Sequence, residues 1–210
     1  TVNFRQALAV SCNGAFGKLA REVGAANLST TTQKVGLTKS VDVDGIKTQA
    51  GSFTFPEDNE VNLSWAGIGQ YDDQVNPCAM MVYMGAIANG GEPVQPKLMK
   101  SSSFLSAGKS GKSLGEYISS ETADELRSMM KNNVKVTYGE SNFYGLDLYA
   151  KSGTAETGSG EDGWFAGFID NEDYPLAFVV WIKNGGTGYA SAGPGAKDVL
   201  NRIISNNDSE

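Results

Sequence analysis

Histidine is absent from all 210 residues. Its absence removes the Ser-His-Asp and Cys-His nucleophile pairs and the His-Glu-x-x-His zinc helix. Only two cysteines are present, Cys12 and Cys78. They are too few and too far apart for a disulfide framework, and they read as half-buried free thiols. With no imidazole and no thiolate cluster there is no ordinary donor set for a transition metal, and no cofactor is implied. Nothing approaches the roughly 18 consecutive apolar residues of a membrane span. Basic runs are missing too, and the net charge is −7. A phosphate backbone would find no docking face, which excludes nucleic acid as a partner. Any catalysis must run on lysine, carboxylates, hydroxyls and backbone groups.

What is present is ordinary for a folded domain: 40% hydrophobic and 20% charged residues, in a chain long enough to bury a sizeable core. The opening enters a helical pattern at once, with Phe4, Ala7, Leu8 and Ser11 on one stripe and no leader-like segment. We therefore expect a chain cut from something longer. Asn13 is placed to cap a second helix with Phe16, Leu19, Ala20 and Val23 inward, stopping at Gly24. Ser11-Cys12-Asn13 then falls at a helix–helix junction, where short polar side chains can line a cleft. Residues 27–75 read as loops with short elements. Asn76-Pro77 opens a helix carrying Met80, Tyr83, Met84 and Ile87, and 121–133 is another, with Ala123, Leu126, Met129 and Met130 inward.

Further on the period changes to two. Residues 146–151, 164–170 and 176–183 read as strands. The last is apolar on both faces, so both faces call for cover and it reads as an inner strand. Gly193-Pro194 is expected to introduce a final helix with Val199, Leu200, Ile203 and Ile204 inward. No stretch separates two cores, so residues 1–210 are read as one domain.

Two motifs carry chemistry. Ser-x-Asn, matched by Ser11-Cys12-Asn13, is weak, since it arises by chance in about every second chain of this length. Lys151-Ser152-Gly153-Thr154, at the end of the first of these strands, is stronger, at about one chain in a hundred. Together with a Ser-x-x-Lys they form the set of serine β-lactamases and penicillin-binding proteins.

The segments ALAVSCNGAFGKLAREVG, IGQ at 68–70, GAIANGGEPVQPKLMK, LRSMMKNNV and YAKSGTAE…GWFAGFID together resemble the transpeptidase domain of penicillin-binding proteins, most closely the monofunctional class B type. The resemblance holds in order over nearly all of the chain. It implies an α+β fold, an antiparallel sheet flanked by helices on both faces. It implies acyl transfer from a D-Ala-D-Ala stem peptide through an acyl-serine, the step that cross-links peptidoglycan. It also implies β-lactams as ligands, and an extracytoplasmic site in a bacterial protein held at the membrane by an anchor outside this chain.

One departure is large. The family's Ser-x-x-Lys precedes its Ser-x-Asn, whereas the two matches here, Ser106-Ala-Gly-Lys109 and Ser128-Met-Met-Lys131, both follow Ser11. The N-terminal strands, the nucleophile and its helix are therefore expected on a missing N-terminal part of the same protein, leaving residues 1–210 a partial domain that is inactive alone. Carried onto this sequence, the resemblance makes Ser11, Asn13 and Lys151 catalytic. Ser11 would relay a proton, Asn13 would donate its amide to the substrate backbone or to the missing lysine, and Lys151 would supply charge and orient Ser11. Ser152 and Thr154 would bind the terminal carboxylate, Gly153 would let the ligand backbone approach, and no metal takes part. Lys151 Nζ should then reach Ser11 Oγ. The strand at 176–183 should have one edge without a partner from residues 1–210, either open to solvent or paired with a second polypeptide. Two rivals stand beside this reading: a non-catalytic peptide- or β-lactam-binding sensor module, and a β-lactamase. Glu60-Val-Asn-Leu63 followed by Ser64 resembles a deacylation motif only partly, and no efficient β-lactam hydrolysis is expected.

Overall fold

The computed structural model describes residues 1–98 and 111–207, so Ser106 and Lys109 lie outside the described residues. Three helices open the chain, α1 (Phe4–Ala9), α2 (Asn13–Val23) and α3 (Ala25–Lys34). A small hairpin follows, β1 (Asp42–Val43) and β2 (Ile46–Lys47), then α4 (Glu60–Ala66), α5 (Pro77–Ala88) and α6 (Ser120–Asn133). A π-helical turn (Val134–Gly139) and a 3-10 turn (Glu140–Phe143) lead into β3 (Leu148–Thr157), β4 (Gly160–Ile169), β5 (Ala177–Ile182) and α7 (Gly188–Asn207).

The three long strands form one antiparallel sheet in the order β3-β4-β5. Its register sorts the side chains into two faces. On one, Leu148, Ala150, Phe165 and Ile169 are buried with Ala192, Ala196 and Leu200 of α7, and Phe178, Val180 and Ile182 pack against them. On the other, Ala166 and Phe168 meet Met84 and Ile87 of α5 and Met130 of α6, with Tyr149, Ala177 and Val179 alongside. This is the α+β sandwich with helices on both faces that the resemblance implied. Strand β5 has both faces covered, but among the described residues its only partner is β4. One of its edges is thus unpaired within these residues, as expected for 176–183, and α5 and α7 account for its two-sided apolarity.

Several elements depart from the reading of the sequence. Helix α3 stands where loops were expected, since its polar run AANLSTTTQK offers no apolar stripe. Cys12, not Asn13, is the N-cap of α2, and it makes no side-chain cap bond. Phe4 is 53% exposed and meets Phe16 with ring centroids 5.8 Å apart. Helix α7 starts before Gly193-Pro194 and carries Pro194 inside it. It turns Ala192, Ala196 and Leu200 inward and leaves Val199 at 55% and Ile203 at 37% exposure. The Lys-Ser-Gly-Thr run lies within β3, which continues to Thr157, and not at a strand end.

Candidate active site

Among the described residues strand β3 pairs with β4 alone, and side chains, not a strand, meet its other edge. Backbone groups of alternate residues point to the same side of an antiparallel strand. Ala150, Ser152 and Thr154 form the outward set. Asn133, fully buried at the end of α6, donates its side-chain amide to the Ala150 carbonyl at 3.2 Å. The Ser152 N–H donates to Tyr138 Oη at 2.7 Å, and the Ser152 carbonyl accepts from Lys151 Nζ at 2.6 Å. The Thr154 carbonyl accepts from Gln70 Nε2 at 3.3 Å. The Thr154 N–H, on the same edge, has no hydrogen-bond partner among the described residues.

Side chains divide by parity. Ser152 and Thr154 lie on the α7 face and Lys151 on the opposite one, in the row Lys151–Ala166–Val179. From there Lys151 Nζ donates to Ser11 Oγ across 140 residues of sequence, which is the contact that the two motifs call for. Ser11 is held in the left-handed region, φ 51°, at the break between α1 and α2. Its N–H meets the Leu8 carbonyl at 3.2 Å and the next N–H meets Ala7 at 2.9 Å. That break stops α1 and turns the hydroxyl toward β3. Asn13, at the first turn of α2, lines an open groove of about 400 Å³ between α2 and α4 together with Trp65 and Ile68. Its side chain has no hydrogen-bond partner among the described residues. Asn13 therefore shares the helix junction with Ser11 without a hydrogen bond to Lys151.

Burial lowers the Lys151 ammonium to about 8 from its usual 10.5, because a charge removed from water favours its neutral form. Near pH 8 it can both take and return a proton. Between about 8 and 10.5 the unfolded chain holds the extra proton, so this group makes stability rise with pH across that window. After reductive 13C-methylation, one dimethyl-lysine resonance should titrate near pH 8 and be missing from Lys151→Arg. Observing only titrations above pH 10 would refute the desolvated position of Lys151.

The other Ser-x-x-Lys within the described residues is engaged elsewhere. Ser128 Oγ accepts from Arg5 at 2.9 Å, and Lys131 bonds Asp147. Met129 and Met130 of the same turn are buried, as the stripe predicted. Glu60 is held by Arg21 at 3.0 Å. Three participants escaped the reading of the sequence. Gln70 belongs to the IGQ stretch but carried no role there. Gly188 donates its N–H to Thr154 Oγ1 at 2.9 Å. It can approach only because it lacks Cβ, which would stand 2.0 Å from the Gly153 carbonyl. Tyr138 sits in a π-helical turn, and no periodicity marks it.

Comparison with known proteins agrees with this fold. A family model described as the penicillin binding protein transpeptidase domain matches residues 1–205. The peptidoglycan D,D-transpeptidase PbpA of Mycobacterium tuberculosis is 28% identical over 218 residues, covering 97% of this chain and 44% of its own length. The chain thus spans less than half of that relative. Penicillin-binding protein A of M. tuberculosis, solved as a ceftriaxone acyl-enzyme complex, superposes with a TM-score of 0.83 at 26% identity over 95% of this chain and 48% of that one. The D,D-transpeptidase domain of a peptidoglycan glycosyltransferase from Eggerthella lenta gives 0.79 at 26% identity, over 97% and 53%.

Proposed function

We propose a function that proceeds from one fact, that the chain belongs to the penicillin binding protein transpeptidase family: it is the part of a serine D,D-transpeptidase domain that binds the D-Ala-D-Ala end of a peptidoglycan stem and transfers its protons. The observation that carries this is the Lys151–Ser11 contact beside the strand-free edge of β3.

In this reading the stem peptide lies along that edge. Gly153 presents no side chain against it, and the Ser152 and Thr154 hydroxyls take the terminal carboxylate. Asn13 donates to the peptide backbone from the rim. A serine hydroxyl from outside residues 1–210 passes its proton to the Ser11–Lys151 pair as its oxygen attacks the penultimate carbonyl carbon. The carbonyl oxygen becomes negative, and the unpaired Thr154 N–H is oriented to stabilise it. The C–N bond then breaks, and the leaving D-alanine amine takes its proton through Ser11, which can accept from Lys151 and donate onward. A neighbouring stem's amine attacks the acyl-serine and releases it as the cross-link. β-Lactams would enter by the same route, as in the acyl-enzyme complex of the M. tuberculosis relative. The residues belong to one partial domain that works outside the cytoplasmic membrane, where peptidoglycan is assembled, anchored by a part of the protein beyond this chain.

The test is intact-mass spectrometry of the 210-residue chain after incubation with penicillin. No adduct should form, while the Gly153 and Thr154 amide resonances should move reversibly on titration with a D-Ala-D-Ala peptide. A stable adduct on Ser106 or Ser128 would place the nucleophile on this chain and overturn the reading.

A further inference from the structure

Every hydroxyl of the candidate site accepts a hydrogen bond from the protein. Ser11 Oγ accepts from Lys151, Ser152 Oγ from Tyr138 at 3.0 Å, and Thr154 Oγ1 from the Gly188 N–H at 2.9 Å. The middle bond has a direction that can be deduced. A phenol has one proton to give. Tyr138 Oη already accepts the Ser152 N–H at 2.7 Å, so its own proton goes to Ser152 Oγ. The Ser152 hydroxyl, having accepted, keeps its proton for something else, and no described residue takes it. Thr154, two positions along the same face, is in the same condition.

The phenol cannot easily turn away. Tyr138 is only 2% exposed and lies edge-on to Phe165 with centroids 5.2 Å apart. Its carbonyl is gripped by Asn142 at 2.7 Å and by the Tyr189 hydroxyl at 2.9 Å. The extra residue of the π-helical turn delivers the ring to the strand. Burial pushes the phenol above its usual 10, with its Ser152 bonds acting the other way, so it keeps its proton at neutral pH.

We propose that Tyr138 is a positioning residue that commits the Ser152 hydroxyl to donating outward, so that the strand-free edge of β3 selects ligands ending in an ionised carboxylate over the same ligands ending in an amide. This rests on the reading of the site as one for a C-terminal peptide. Two adjacent O–H donors with their acceptor sides engaged match a group that only accepts. A primary amide offers one uncharged accepting oxygen in place of two charged ones, and it turns two N–H donors toward hydroxyls that are already donors. Donation from Tyr138 into Ser152 Oγ also strengthens the bond that Ser152 gives away.

The experiment titrates the chain with diacetyl-Lys-D-Ala-D-Ala and with its C-terminal carboxamide, following the Ser152 and Thr154 amides by NMR. The acid should bind about tenfold tighter than the amide, the usual scale for a hydrogen bond to a charged group. Tyr138→Phe should bring the ratio to within about threefold of unity by weakening the acid alone, a change in discrimination that mere loosening of the fold would not produce. An unchanged ratio in Tyr138→Phe, or a wild-type ratio near one, overturns the proposal and leaves the peptide reading standing. If neither peptide binds, that reading fails, and acetate against acetamide decides the proposal on the same resonances. Acetate shifts present in the wild type and lost in Tyr138→Phe support it, and their absence from the wild type overturns it. Should Tyr138→Phe not fold, 2,3-difluorotyrosine at position 138 is isosteric with a more acidic phenol. It should raise the acid-to-amide ratio, and an unmoved ratio overturns the proposal.

Discussion

Replacing Lys151 with alanine should, under the proposed transpeptidase function, slow acylation by a fluorescent penicillin at least about 100-fold, measured by stopped flow in the full-length protein. Two effects are lost together. One is the charge at the reacting groups, a term worth about 100- to 1,000-fold when a single preorganised donor is removed. The other is the proton that Lys151, lowered to about 8 by burial, exchanges with Ser11; positioned acid–base groups contribute about 100- to 10,000-fold. Lys151→Arg separates the two. A guanidinium keeps the charge but does not release a proton in a protein. The arginine variant should therefore retain ligand affinity better than the alanine variant while acylating slowly. A loss under tenfold in Lys151→Ala would remove Lys151 from the chemistry.

Phe165→Ala should cost about 3–5 kcal/mol of folding stability by urea denaturation, the usual range for truncating a buried phenylalanine. Phe165 is fully buried on β4 and is the meeting point of the aromatic cluster, with centroids 5.2 Å from Tyr138, 6.0 Å from Phe143, 5.8 Å from Phe178 and 5.8 Å from Tyr189. These rings come from four separate segments, so no single rotation closes the cavity. Domains are stable by only about 5–15 kcal/mol, so this one change threatens the native state. Because Tyr138 rests on the same ring, the Ser152 amide resonance should broaden with it. A cost under about 1.5 kcal/mol would mean that the cluster repacks, and Tyr138 would then lose its claim to a fixed position.

Helices α2, α5 and α6 and the three long strands were legible because an apolar stripe or an alternation repeats within each. Helix α3 was not, since it is polar and its place depends on the helix before it. The inward face of α7 was read only in part: Leu200 and Ile204 do pack on the sheet, and Val199 and Ile203 do not. Val199 and Ile203 are apolar, yet the sheet is narrow, and the alanines at 192 and 196 with Leu200 form the flatter stripe that lies against it. Strand β5 shows the same limit: an apolar sequence reports that both faces are covered and is silent about how many edges are paired.

By itself the sequence determined which chemistry was open and which was closed. No histidine and no thiolate cluster left lysine, carboxylates, hydroxyls and backbone, and Ser11, Asn13 and the run from Lys151 to Thr154 supplied the groups of the proposed site. Their residue types and order are one-dimensional information. Only the tertiary structure decided how they work, because hydrogen-bond direction and desolvation depend on neighbours remote in the chain. Lys151 is tuned by burial beneath a helix junction 140 residues away. Tyr138 reaches Ser152 through a π-helical turn that leaves no periodic mark. Gly188 reaches Thr154 because two backbones touch where α7 begins.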